Sequence, residues 1–202
     1  MTAISAFEYP NEKQIRRHGP AGYSDYESYR EWLRDEFSFR CVFCLQREQW
    51  SRLRATFHID HFMPQSIDRE LECEYDNLIY VCASCNSIKS DSIVPSPFQF
   101  AFGQCVVVHS DGTIESRNPT GELLVDLLRL DDECLTTYRK KWLETFRALI
   151  SAANVESYED WMRFPDELPD LSKKKPSSNS RPDGIYQSAF ARRSRGELPR
   201  TY

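Results

Sequence analysis

Apolar residues recur along this chain at two different periods, and each change of period marks an element. Ser24 stands three residues before Glu27, a capping box, and Tyr26, Tyr29, Leu33 and Phe37 follow on one helical face. That spacing predicts a helix over 24–37. From Ala55 to Asp60 the period falls to two, with Phe57 and Ile59 opposite His58 and Asp60, so a strand is expected there, and Pro64 closes it. Residues 78–81 read as a second short strand, and 83–90, which lack Gly and Pro, as a short helix. Val106 to Val108, then Asp111-Gly112, then Thr113-Ile114 give a hairpin signal. Leu123, Leu124, Leu127 and Leu128 begin helical character. A longer helix from Asp132 sets Leu135, Tyr138, Trp142, Phe146 and Leu149 along one side, a stripe that reads as core rather than as a base-stacking platform. A last turn or two is expected over 157–164, and from Pro165 onward Pro, Ser, Lys and Arg accumulate.

Composition narrows the class. The 202 residues are 40% hydrophobic and 28% charged, enough to build a core of one domain with appendages. No apolar run approaches the ~18 residues of a membrane span. The opening Met1–Ser5 has no basic region followed by an apolar stretch, so no secretory signal is expected. The net charge is −5, but it is uneven. Residues 171–202 carry eight Lys and Arg against Asp183 and Glu197, a net of +6, which leaves −11 for the rest. Such asymmetry is that of a basic tail able to meet a polyanion, or of a solvated, disordered terminus.

The seven cysteines are an odd count without an export signal, which fits reduced thiols in a cytoplasmic protein better than disulfides. Cys41-Val-Phe-Cys44 and Cys82-Ala-Ser-Cys85 form two C-x-x-C knuckles separated by 37 residues. Two such pairs supply four thiolates in tetrahedral geometry, the closed environment of structural zinc. The interval between them carries Phe57-His58-Ile59-Asp60-His61-Phe62-Met63-Pro64-Gln65-Ser66, and the second knuckle runs on through Asn86 to Lys89. Oxygen donors such as Asp60 and the Asn86 side-chain carbonyl suit a hard cation, magnesium or manganese. A neutral imidazole suits a general base that takes a proton from water. Lys89 lies one helical turn after Asn86, on the same face, in a position to contact a phosphate oxygen. Arg40, Arg47, Arg52 and Arg54, just before the strand, are candidates for gripping a nucleic-acid backbone, although surface arginines need no function.

Asp60-His61, Pro64 three residues on, Asn77 before an apolar strand, and Cys85-Asn86 followed by Lys89 resemble the ββα-metal core of HNH endonucleases, in the subtype with two zinc knuckles. The stretch from Asp60 to Ser66 is also similar to the HNH domains of RNA-guided CRISPR nucleases. The resemblance covers residues 41–91, a quarter of the chain, and the flanking elements look, less specifically, like small stand-alone bacterial HNH proteins. It implies that Asp60 and Asn86 hold the catalytic Mg2+ or Mn2+, that His61 is the general base, that Asn77 braces the loop carrying His61, and that His58 is an auxiliary residue. The implied reaction is phosphodiester hydrolysis leaving 5′-phosphate and 3′-hydroxyl ends, with DNA as the substrate and RNA as the open alternative.

The expectation is therefore an α+β protein. A ββα-metal core over 41–98 is clipped by a four-cysteine zinc site at Cys41, Cys44, Cys82 and Cys85. Around it are expected an N-terminal arm (1–22), a packing helix (23–40), a hairpin and helices (99–165) and a basic, flexible tail (166–202). Lys89, Arg40, Arg52 and Arg54 are the expected nucleic-acid contacts. One such site cuts one strand at a time, so a homodimer or a protein partner that brings substrate is a further expectation. By analogy, the setting is anti-phage or restriction-like defence. The rival readings are a nucleic-acid-binding zinc module without catalysis and an effector subunit active only with its partner.

Overall fold

The computed structural model of the protein describes residues 6–51 and 56–202. Arg52, Arg54, the start of the predicted strand at Ala55 and the opening Met1–Ser5 lie outside the described residues. In chain order the elements are β1 (Pro20–Ala21), α1 (Arg30–Glu36), β2 (Phe57–His61), β3 (Leu78–Cys82), α2 (Ala83–Lys89), α3 (Phe102–Cys105), β4 (Val106–Val108), β5 (Ile114–Ser116), α4 (Pro119–Leu128), α5 (Glu133–Ser151), α6 (Val155–Met162), β6 (Ser178–Asn179), α7 (Asp183–Gln187) and α8 (Ala189–Ser194). This is an α+β fold with three two-stranded antiparallel sheets, β1–β6, β2–β3 and β4–β5, among the described residues. No helix among them is long and apolar enough to cross a membrane. The chain divides into two compact units.

One unit holds Ile15–Val42, Gln46–Ile93 and Phe164–Tyr202. At its centre β2 pairs with β3, with Asp60 opposite Ile79 and His61 opposite Leu78. β2 alternates, burying Phe57, Ile59 and His61 and leaving His58 and Asp60 half-buried, whereas all five residues of β3 are buried. β3 is the axis because both α1 and α2 pack against it.

A buried ion pair fixes α1 to this sheet. Arg34 on α1 donates through Nε and Nη2 to the two Glu48 oxygens, both at 2.8 Å, and the Tyr80 hydroxyl on β3 donates to Glu48 Oε1 at 2.8 Å. Such a fork-to-carboxylate match satisfies the geometry of both charges. Beside Glu48 the Tyr80 phenol is held well above its usual range, first by burial and then by the carboxylate.

The chain enters α1 differently from the prediction. The capping residue is Asp25, not Ser24, and its carboxylate accepts from Glu27 N at 3.0 Å. That bond tightens Tyr26–Tyr29 into a 3-10 turn before the α-helix begins at Arg30. The expected tail differs more. Residues 166–202 contain β6, α7 and α8, and β6 pairs with β1 in the arm, Pro20 opposite Asn179. Phe39, Phe164 and Ala189 form a buried cluster against which Leu168, Leu198 and Tyr202 pack. Arg181, Arg192, Arg193 and Arg195 each donate to a backbone carbonyl, as when Arg193 donates to Asp166 O and Pro165 O. The anchors are few and widely spaced, so composition alone reads the segment as disordered.

The other unit holds the chain up to Gln14, Phe43–Leu45 and Val94–Arg163. The expected hairpin is β4–β5, and Asn118 caps α4 by accepting from Gly121 N at 2.9 Å. On α5 the predicted stripe is only partly the core. Phe146 is buried with Leu143, and Arg139 is buried too because it donates to Gly112 O at 2.7 Å and Leu130 O at 2.6 Å. Trp142 stacks on Phe146 at 5.4 Å and meets Trp161 of α6 edge-on at 5.1 Å.

Glu48→Ala leaves the Arg34 guanidinium, 4% exposed, without its bidentate partner. Loss of one member of a buried pair costs about 3–5 kcal/mol. Urea denaturation of the variant should show a loss of that size, whereas a change below about 1 kcal/mol, the range of an exposed pair, would contradict this account of the α1–β3 contact.

Candidate active site

β2 ends on Asp60 and His61, and the geometry of that strand end sets the chemistry available. The chain leaves the sheet through Phe62 and Met63, and Asn77, the residue before β3, holds this exit. Phe62 N donates to Asn77 O at 2.7 Å and Met63 N to Asn77 Oδ1 at 2.7 Å. Asn77 Nδ2 donates to Met63 O at 3.1 Å and to Leu71 O at 3.2 Å. Both ends of the 62–71 loop are thereby tied to one buried amide.

His61 is buried, at 8% exposure. Its Nε2 lies 2.9 Å from Glu72 O. A carbonyl only accepts, so Nε2 carries the ring proton and the lone pair of the neutral imidazole is on Nδ1. The Gln65 side-chain nitrogen lies 3.2 Å from the same Nε2, a contact between two donors once Nε2 carries the proton, and the Tyr26 ring meets the imidazole edge-on at 4.9 Å. The Glu72 carbonyl and the Tyr26 ring thus hold the imidazole.

Asp60 is held by other contacts. Its Oδ1 accepts from His61 N at 2.7 Å. Its Oδ2 is buried and has no hydrogen-bond partner, and Lys89 Nζ is 3.3 Å away at an angle that makes an ion pair but no hydrogen bond. Burial pushes the Asp60 carboxyl above its usual range, and the Lys89 ammonium, the next largest influence, pulls it back. A buried carboxylate oxygen met only by the Lys89 ammonium at 3.3 Å keeps a lone pair that a hard cation would satisfy. Asn86 is half-buried on α2, one turn before Lys89 on the helix that packs against β2. By donor chemistry the oxygens of Asp60 and Asn86 suit a magnesium-like ion.

Lys89 itself is a correction. The sequence expectation puts it against a phosphate, but the side chain is fully buried and Nζ donates to His61 O at 2.8 Å. Its helical spacing from Asn86 is right, yet that face of α2 turns onto β2 rather than to solvent. Arg47 is likewise fully buried, its guanidinium over the Tyr202 ring at 4.1 Å and the Trp50 ring at 5.3 Å, so it is no backbone grip. Arg40 is half-buried and bridges to Arg47 through the backbone. His58 is half-buried on β2 opposite Val81. The Glu72 carbonyl and the Gln65 and Tyr26 contacts escape the sequence reading. A backbone acceptor leaves no residue signature, and Gln65 is marked only by standing four residues after His61.

The two knuckles converge. The Sγ atoms of Cys41, Cys44, Cys82 and Cys85 lie within 4.8 Å of one another, all buried. Cys85 N points at Cys82 Sγ at 3.4 Å, and Cys41 N donates to Gln46 O at 2.8 Å, which closes each turn around its sulfurs. No disulfide forms among the described residues. Four thiol donors in this arrangement make a candidate zinc site.

Residues 41–92 match the family model of the HNH endonuclease. The matched segment contains both knuckles, β2, β3 and α2, and it coincides with the span over which the sequence resembles that family. The chain thus carries an HNH endonuclease domain, which supports a nuclease-type function. No curated protein matches the chain.

Apparent binding energies of structural zinc are about 10–16 kcal/mol, comparable with the about 5–15 kcal/mol net stability of a whole domain. Cys82→Ser, or a strong zinc chelator, should therefore melt the β2–β3 core and release about one zinc per chain. Metal analysis and circular dichroism would read both, and a chain purified without zinc that keeps its cooperative unfolding would contradict this assignment.

Proposed function

We propose that the protein is a metal-dependent endonuclease that hydrolyses phosphodiester bonds in DNA, with His61 as general base and Asp60 and Asn86 holding one Mg2+ or Mn2+. The observation that carries this reading is the approach of His61 Nε2 to Glu72 O at 2.9 Å, a contact that a carbonyl makes only to a protonated nitrogen. That Nε2–H is engaged by the Glu72 carbonyl, so Nδ1 is left as the basic nitrogen in a ring that cannot turn freely.

In this reading Nδ1 takes a proton from water as the oxygen forms its bond to phosphorus, and the P–O3′ bond breaks in line with it. The leaving 3′ oxygen gains a proton from solvent, and the 5′ side keeps the phosphate. The cation, when bound, neutralises charge on the phosphate and on the leaving oxygen. Asp60 contributes a buried carboxylate whose desolvation favours pairing with a positive charge. Lys89 Nζ lies 3.3 Å from Asp60 Oδ2 and donates to His61 O, so its charge opposes the upward push that burial gives the Asp60 carboxyl and links that residue to the His61 backbone. Asn77 keeps the loop after His61 in register. The four cysteines hold a structural Zn2+ with no open position, so that metal takes no part in the chemistry.

Incubation of supercoiled plasmid with the protein and Mg2+ or Mn2+ should give nicked circles bearing 5′-phosphate and 3′-hydroxyl ends. A positioned general base contributes about 10²–10⁴-fold, so His61→Ala should lose at least about 100-fold in rate while keeping its fold. Equal nicking by both proteins would reject the role of His61. Salt-sensitive DNA binding without cleavage under any divalent ion would instead favour a non-catalytic zinc module.

A further inference from the structure

Asn77 determines how the chain leaves His61, and its two neighbours, Asp76 and Leu78, are held from outside the matched residues 41–92. Arg16 is 6% exposed and its guanidinium lies over the rings of Tyr75 at 4.9 Å and Phe37 at 5.4 Å. From there Nη2 donates to Leu78 O at 2.5 Å and to Asp76 O at 3.2 Å, the carbonyls on either side of Asn77. The Asp76 carboxylate is gripped from the C-terminal segment. Arg181 Nη1 and Nη2 donate to its two oxygens at 3.1 and 3.0 Å, and Nη1 also donates to His18 O at 2.9 Å.

The two arginines flank a pair of strands, Arg16 before β1 and Arg181 after β6. β1 pairs with β6, and Gly184 and Gly19 mark the fit. A Cβ on Gly184 would meet Arg17 O at 1.9 Å, and one on Gly19 would meet Ser180 Oγ at 2.2 Å. Arg181 therefore holds Asp76 by a charged fork whose geometry a lysine does not reproduce, and Arg16 holds the flanking carbonyls through one nitrogen.

We propose that Arg181 and Arg16 are positioning residues for His61, acting through Asp76 and Asn77, so that the segment after Phe164 belongs to the working nuclease unit. The catalytic part of this claim rests on the nuclease reading of the site. The Arg181–Asp76 pair is 36% and 62% exposed, a setting in which an ion pair adds little to global stability. Its loss should therefore be felt locally.

The test uses the full chain with Arg181→Ala, Arg181→Lys and Asp76→Ala, read by native-state hydrogen exchange and by plasmid-nicking kinetics. Phe62 and Met63 amides, which donate to Asn77, should exchange about 10-fold faster in all three variants, with β3 amides unchanged. In the nuclease assay kcat should fall about 10-fold with KM for DNA unchanged, inside the about 100-fold that a 1 Å misplacement can cost. Arg181→Lys should not restore kcat, and the Arg181→Ala, Asp76→Ala double variant should be no worse than either single one. A raised KM with intact kcat, restored by lysine, would make Arg181 a DNA contact and overturn the proposal. Unchanged exchange at Phe62 and Met63 in an active nuclease would overturn it as well. Faster exchange there in a chain that never cleaves DNA would uphold the positioning and defeat the nuclease reading instead.

Discussion

Asn77 uses its backbone carbonyl, its side-chain oxygen and its side-chain nitrogen on residues 62, 63 and 71, and those bonds fix the direction in which the chain leaves β2. Without them His61 would end a strand and begin a loop with no defined orientation. With them, Glu72 is carried to within 2.9 Å of the imidazole, and a backbone carbonyl selects which ring nitrogen is basic. Local hydrogen bonding, rather than any exotic side chain, makes an ordinary histidine a candidate base.

Buried charge is the second constraint. Arg34 and Glu48 are matched oxygen for nitrogen, and that pair joins α1 to β3 with no group left over. Asp60 and Lys89 are matched incompletely, since Asp60 Oδ2 is buried without a hydrogen bond. The contrast is one of geometry: the complete pair anchors the fold, and the incomplete one leaves a buried oxygen, the one that the proposed function gives to a cation. The sulfur cluster sits at the base of the same hairpin, since Cys82 ends β3 and Cys85 lies in the first turn of α2.

Much of this was legible in the sequence where chemistry and periodicity coincide. The two C-x-x-C pairs, the alternation through Ile59 and Asp60 and the apolar run before Cys82 define the hairpin, the short helix and the metal cluster. Side-chain direction was not legible at Lys89, because spacing from Asn86 says which face of α2 it shares but not whether that face is wet. Arg47 and Arg139 were missed for the same reason: an arginine is buried when backbone carbonyls or aromatic faces receive it, and neither is visible in a residue type. The C-terminal segment was misread from its composition because its order comes from long-range partners, Asp76 for Arg181 and Asp35 for the backbone of Ala189.

The protonation pattern of the His61 ring tests the central claim most directly, and nitrogen-15 NMR of the folded, zinc-loaded chain at a pH where the imidazole is neutral reads it. The account predicts a proton on Nε2 and a bare Nδ1. A proton on Nδ1, with Nε2 bare beside the Glu72 carbonyl, would contradict it and remove the basis for His61 as the base.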